Sequence, residues 1–223
     1  MSTEIKLPEG APEEVVTNAL VRDVDLAPFG HKGTLALITL DNGLDHTRPN
    51  TFGPQSLAVL DAAITDAIGR APYAIAITGK PFIFAAGADL SALSYLSKRE
   101  QSLAIGKLGH DVFRRLDECG VPTFAFINGL ALGGGLEVGL HSNYRTLAST
   151  ALTGLPEVFL GLVPGWGGAT ILPKLIGPER AIQVIMLNAL NNNTMMKAKD
   201  ALALGVVDAV YEPADFLERS VAF

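Results

Sequence analysis

A single cysteine stands among the 223 residues. Cys119 can therefore form no internal disulfide and no cysteine zinc site, and a reducing, cytoplasmic setting is expected. Basic runs are lacking too. Lys and Arg number 17 against 23 Asp and Glu, a net charge of −6, with no basic run and no interleaving of aromatic with basic residues. Nucleic acid is thereby an unfavoured partner, and a polyphosphate group would have to be held by a few local cations or helix N-termini. No apolar stretch reaches membrane-spanning length without a glycine, a proline or a charge, so no membrane partner is expected. The acidic opening MSTEIKLPEGAPEEV has neither the apolar core of a secretory signal nor the arginines of a transit peptide. His31, His46, His110 and His141 are isolated, so no imidazole metal site is expected, and no Ser/His/Asp arrangement can be argued from spacing. What the chain does have is apolar content, 48% against 18% charged, enough for one domain with a substantial core.

Residues 1–20 are polar and read as a loosely held N-terminal extension, and 21–223 as the domain itself. Val21 to Leu26 and Thr34 to Leu40 read as a hairpin turned by Gly30-His31-Lys32-Gly33. From Phe52 to Ile68 the apolar residues follow the helical period, and Tyr73 to Thr78 is a short buried strand. A helix is expected near Asp89, then an amphipathic one over 99–118 with Leu103, Leu108, Val112 and Leu116 inward. Further helices are expected at Ala169–Ile176, Pro178–Leu187 and Met195–Leu204, then the strand VVDAV and a last helix after Glu212-Pro213. Alternating strands and helices argue an α/β fold.

One stretch, Val121 to Gly168, concentrates the chemistry. Phe124 to Ile127 suits a buried strand, and Gly133, Gly134 and Gly135 then let the backbone turn or approach a ligand before a helix that begins with Leu136 and Glu137. Glu157 follows in GLPEVFLG, with almost nothing polar beside it, and PGWGG closes the stretch. A Glu in a first helical turn is commonly only a favourable charge at the dipole's positive end. Two acids set among glycines and apolar residues suggest more, an acid/base pair in a dry cleft. The spacing Gly133, Gly135, Gly139 is one residue too long for a dinucleotide fingerprint, and Gly79-Lys80 runs into Pro81, so there is no P-loop.

In order along the chain, NTFG, FAAGADL, INGLALGGGLEV, LPEVFLGLVPGWGG and AKDALALGVVDAV resemble the enoyl-CoA hydratase/isomerase (crotonase) superfamily. The likeness is strongest to hydratases and to the hydratase part of multifunctional fatty-acid oxidation proteins. It implies a spiral of ββα units and hydration of trans-2-enoyl-CoA to 3-hydroxyacyl-CoA in β-oxidation. Coenzyme A would enter as part of the substrate, with no separate cofactor and no metal. It also implies catalytic glutamates at Glu137 and Glu157 and oxyanion-hole N–H groups at Ala88 and Gly134. Substrate contacts are implied at Arg48, Ala86, Asp89, Leu90 and Trp166, the last of these also a candidate core residue. The alternatives are Δ3,Δ2-enoyl-CoA isomerisation and a non-catalytic acyl-CoA-binding or assembly domain. The chain departs from the family where TQRLPR is usual, reading Ala169 to Lys174 as ATILPK, and in having one short helix after VVDAV. A truncated C-terminal helical region is expected on that account. So is either a trimer or hexamer, or attachment to a further domain in a longer, bifunctional polypeptide.

Overall fold

The computed structural model describes residues 10–91, 95 and 98–223. Strands β1 (Asn18–Asp25) and β2 (Thr34–Asp41) form an antiparallel hairpin whose register runs from Asn18 opposite Asp41 to Asp25 opposite Thr34. Then follow α1 (Pro54–Gly69), β3 (Ala74–Gly79), β4 (Ile83–Ala85), α2 (Arg99–Glu118), β5 (Thr123–Ile127), β6 (Leu130–Leu132) and α3 (Gly134–Leu140). The chain continues through β7 (Tyr144–Ala148), β8 (Leu152–Gly154), α4 (Gly168–Ile176), α5 (Pro178–Ile182) and α6 (Asn188–Leu190). It ends with β9 (Met196–Lys197), α7 (Ala198–Leu204), β10 (Ala209–Tyr211) and α8 (Phe216–Ala222).

Among the described residues these strands make two sheets, ordered β1-β2-β3-β5-β7-β10 and β4-β6-β8-β9. From β2 onward the larger sheet is parallel. Each of β3, β5 and β7 is followed within a few residues by a strand of the smaller sheet, and α2 and α3 then carry the chain to the next turn. The result is the ββα spiral the motifs implied. β3 is buried at all six positions, which is why YAIAIT shows no polar alternation: a parallel strand covered on both faces reads as a continuous apolar run.

Local rules account for most boundaries, and tertiary pairing for the rest. Helix α2 runs over the expected residues, but Leu103 is 53% exposed, and the apolar face rests on Val112, Phe113 and Leu116. Met196 and Lys197 leave the expected helix because they pair antiparallel with Thr153 and Leu152 at the edge of the smaller sheet. The expected 178–187 helix contains a π-helical turn at Gln183–Leu187 and continues into α6. The helix expected near Asp89 does not begin there, since Asp89 and Leu90 are not helical and Ser91 is in a turn; positions 92–94 and 96–97, over which it is expected to run, lie outside the described residues.

The start of α1 shows where the N-terminal segment joins the fold. Its first N–H groups have no acceptor within the helix, and Glu14 supplies one. The Glu14 carboxylate accepts from the N–H groups of Gly53 (3.1 Å), Gln55 (2.9 Å) and Ser56 (2.8 Å), and from the Ser56 hydroxyl. Thr17 adds a hydroxyl bond to the Thr51 carbonyl at 2.7 Å. Glu14 is only 7% exposed, so this part of the expected loose extension is packed. Glu14→Ala should lower stability by about 2 kcal/mol, read by urea denaturation, with Glu14→Gln recovering part of the loss.

Candidate active site

The smaller sheet and α3 deliver the glycine-rich stretch to a cavity of about 340 Å³. One wall is the loop after β4, with Ala86, Ala88 and Leu90; another is the start of α3; α2 and the 156–166 segment close the rest. Leucine, isoleucine, valine and glycine dominate the lining, and both Glu137 and Glu157 reach it. Every residue of α3 is buried, so Glu137, in its first turn, is carried into the interior rather than left as a solvated dipole charge.

Glu137 is 2% exposed. Its Oε1 accepts from the Trp166 N–H at 2.8 Å and from the Gly168 N–H at 2.9 Å. PGWGG is therefore a backbone clamp on the first glutamate, a role no spacing rule discloses. Burial first, and the charge of Glu157 second, raise the Glu137 pKa to about 7 against the pull of those two N–H groups. Glu157, at the start of a 3-10 turn (Glu157–Leu160), is also raised to about 7 by burial. Its Oε2 is buried with no hydrogen-bond partner among the described residues. Its Oε1 lies so close to Gly133 that a Cβ there would come within 2.7 Å. Two carboxyl groups poised near neutrality in one apolar cavity can trade protons with a bound molecule.

Two backbone donors lie beside them. The loop carrying Ala88 is fixed to the strand-like Asn50–Phe52 segment by Ala86 N–H to Asn50 O (2.8 Å), Phe52 N–H to Gly87 O (2.8 Å) and Asp89 N–H to Phe52 O (3.0 Å). Asn50 is itself pinned by bonds from its amide to the carbonyls of Leu40 and Phe84, both at 3.0 Å. Gly134 opens α3. Neither the Ala88 nor the Gly134 N–H donates to an acceptor among the described residues. The two loops touch, since a Cβ on Gly134 would stand 3.4 Å from the Gly87 Cα.

Trp166, 6% exposed, both lines the cavity and fills core. Its indole lies against Gly109 of α2 and Gly134 of α3, where added Cβ atoms would fall within 2.3 and 2.5 Å of the ring. Phe113 meets it edge-on at 5.4 Å between centroids and meets Phe52 in the same way at 5.2 Å, joining the tryptophan wall to the Ala88 loop.

The other residues implied by the resemblance are less central. Ala86 and Leu90 line the cavity; Asp89 does not, its carboxylate accepting instead from the Ser91 N–H at 2.9 Å. Arg48 is exposed, in the loop after β2, and lies outside the cavity lining. That loop is shaped by Lys80, whose buried ammonium donates to the Asn42 side chain and to the carbonyls of Leu44 (2.8 Å), Asp45 (3.0 Å) and Arg48 (2.7 Å). No cluster of three or more metal-ligating side chains occurs among the described residues, and no described helix is long and apolar enough to cross a membrane.

A two-sheet ββα spiral thus carries paired glutamates and two backbone N–H groups without an acceptor among the described residues to one apolar cavity, an arrangement suited to proton transfer beside a polarised oxygen. The enoyl-CoA hydratase/isomerase family model matches residues 30–223, and the chain belongs to that family. It is 35% identical over 191 residues to the fatty acid oxidation complex subunit alpha of Shewanella loihica, covering 84% of this chain and 26% of that protein. The corresponding subunit of Pseudomonas paraeruginosa is 37% identical over 197 residues, at 83% and 27% coverage. This chain thus spans about a quarter of the length of the curated relatives it matches. Among solved structures, enoyl-CoA hydratase from Bacillus anthracis superposes with a TM-score of 0.77 at 27% identity, covering 92% of this chain and 74% of its own. Pseudomonas aeruginosa DspI gives 0.77 at 28% identity, covering 96% and 81%.

Proposed function

We propose that this chain hydrates trans-2-enoyl-CoA thioesters to 3-hydroxyacyl-CoA. The observation that carries the reading is the pair Glu137 and Glu157, which reach one apolar cavity with pKa values raised to about 7 by burial, together with a Glu157 oxygen that has no partner among the described residues, in the cavity that Ala88 and Gly134 also line. The thioester carbonyl accepts from Ala88 and Gly134, which stabilise the negative charge that develops on its oxygen. Glu137, favoured as a carboxylate by its two N–H donors, takes a proton from water as the water oxygen bonds to C3. Glu157, which has only its own backbone N–H beside its carboxyl, holds the proton and delivers it to C2. Water thereby adds across the double bond, and the pair regains its starting protonation by exchange with solvent. Coenzyme A enters as part of the substrate, and the scheme draws on no other cofactor.

The pair is competent when one carboxyl is ionised and the other protonated. Below the pair's range both are protonated and the base is lost; above it both are ionised and the acid is lost. Hydration of crotonyl-CoA, followed by loss of the conjugated-enoyl absorbance, should therefore show a bell-shaped kcat/KM profile with both limbs near pH 7. Conversion of a 3-enoyl-CoA without any hydration of crotonyl-CoA would replace this reading with isomerisation, and thioester binding without turnover of either would leave a binding domain.

A further inference from the structure

His141, the residue after α3, is a buried imidazole to which the scheme above gives no task. It is 4% exposed and directs Nε2 at the Trp166 carbonyl, 2.8 Å away. Among the described residues no other group is hydrogen-bonded to that carbonyl. The N–H groups on either side, those of Trp166 and Gly168, both point to Glu137 Oε1. The turn thus presents two donors to the glutamate and its carbonyl to the histidine. Gly167 makes this geometry available at φ 129°, where a Cβ would lie 2.5 Å from His141 Nε2. The residue that lets the backbone turn is also the one that leaves room for the ring.

We propose that His141 is a positioning residue for Glu137: by donating from Nε2–H to the Trp166 carbonyl it holds the turn whose two N–H groups favour the ionised form of Glu137. A neutral ring protonated at Nε2 is sufficient, and burial lowers the His141 pKa, which favours the neutral ring, while the Trp166 carbonyl, an acceptor, calls for the proton on Nε2. Glu157 is the charged group that acts on Glu137, while His110, Arg114 and Asp117 of α2 are those that act on His141. The His110 ring stands edge-on at 5.6 Å between centroids and so packs against His141 without replacing its bond to Trp166. The inference rests on the hydratase reading for its kinetic consequence but not for its effect on the carboxyl group.

The test is carboxyl carbon-13 NMR on glutamate-labelled protein, with the Glu137 signal identified by its loss in Glu137→Gln. His141→Met should raise the Glu137 midpoint by about one pH unit, because its two N–H donors are no longer held in place. His141→Gln, whose amide can donate from a similar position, should restore the parent value. The ascending limb of the crotonyl-CoA profile should follow both changes. An unmoved midpoint in folded His141→Met overturns the proposal, and so does an equal rise in the Met and Gln variants, which would mean packing alone. Should His141→Met fail to fold, His141→Asn, whose amide stops short of the carbonyl, carries the same expectation. A Glu137 midpoint that responds as stated in a protein with no hydration of crotonyl-CoA would sink the hydratase reading and leave the role of His141 standing.

Discussion

Glu157→Gln is expected to lower kcat for crotonyl-CoA hydration by a factor between about 10² and 10⁴ and, above pH 7, to make the protein more stable. The loss of rate follows from the amide's inability to give a proton to C2 while the cavity and the oxyanion donors stay intact. Glu137→Gln should be comparably slow, since it removes the group that activates the water. The double variant should be little worse than either alone, because groups that act as a unit are strongly non-additive. Single-turnover measurements with crotonyl-CoA would show this directly; a Glu157→Gln enzyme with the parent's rate would remove the acid from the scheme.

The stability gain comes from the same physics with the opposite sign. Burial raises the folded-state pKa of Glu157 from 4.5 to about 7, so between those limits the folded protein binds more protons than the unfolded chain. The Glu157 contribution to stability is therefore most favourable below about 4.5, falls as pH rises, and above 7 carries the full cost of an ionised, desolvated carboxylate. That cost is on the order of 3 kcal/mol. Replacing the carboxyl with an amide removes it. Urea denaturation of parent and Glu157→Gln should give matching stabilities near pH 4 and a clear advantage to the variant at pH 8. Such a gain on removing a side chain is the signature of an acid kept in place for chemistry rather than for folding.

How much of this could be read from the chain depends on the range of the interactions. The buried strand Thr123–Ile127, the glycine turn and the first-turn Glu137 are local matters of period and backbone freedom, and they fall where the pattern puts them. The ββα spiral is legible only because five motifs occur in a known order; nothing in the periodicity of YAIAIT or FAFIN says which of two sheets each strand joins. Long-range partners leave no local mark. Glu14 sits in an unremarkable polar segment, yet its carboxylate caps a helix 39 residues away. His141 appears isolated because its partner lies 25 residues off in PGWGG. Lys80 has no motif around it, yet its ammonium ties together the loop that carries Arg48. Arg48, which the resemblance implies as a coenzyme A contact, is exposed in that loop and lies outside the cavity lining. A glycine read as a flexible turn can also be a site of close packing, as Gly134 is against Trp166.

Ala88→Pro should cost about 10²–10³ in kcat, the equivalent of about 2.7–4 kcal/mol of transition-state stabilisation, with KM changed much less. Proline removes the N–H while keeping a small side chain, and the neighbouring bonds that fix the loop, from Phe52 N–H to Gly87 O and from Asp89 N–H to Phe52 O, involve other atoms. The donor matters more in the transition state than in the ground state because the thioester oxygen gains charge as water adds, so the penalty belongs in kcat. Gly134→Ala probes the second donor by a different route. Its methyl would come within 2.5 Å of the Trp166 ring, and the ring cannot retreat towards Gly109, where α2 already rests on the indole. Relief has to come from moving the 165–168 segment, and that movement draws the Trp166 and Gly168 N–H groups away from Glu137. Gly134→Ala should therefore combine a fall in kcat with an upward shift of the ascending pH limb, whereas Ala88→Pro should lower kcat at every pH without moving either limb. Measuring both profiles separates a lost oxyanion donor from a displaced base; identical profile shapes in the two variants would mean that Trp166 does not connect the start of α3 to the Glu137 clamp.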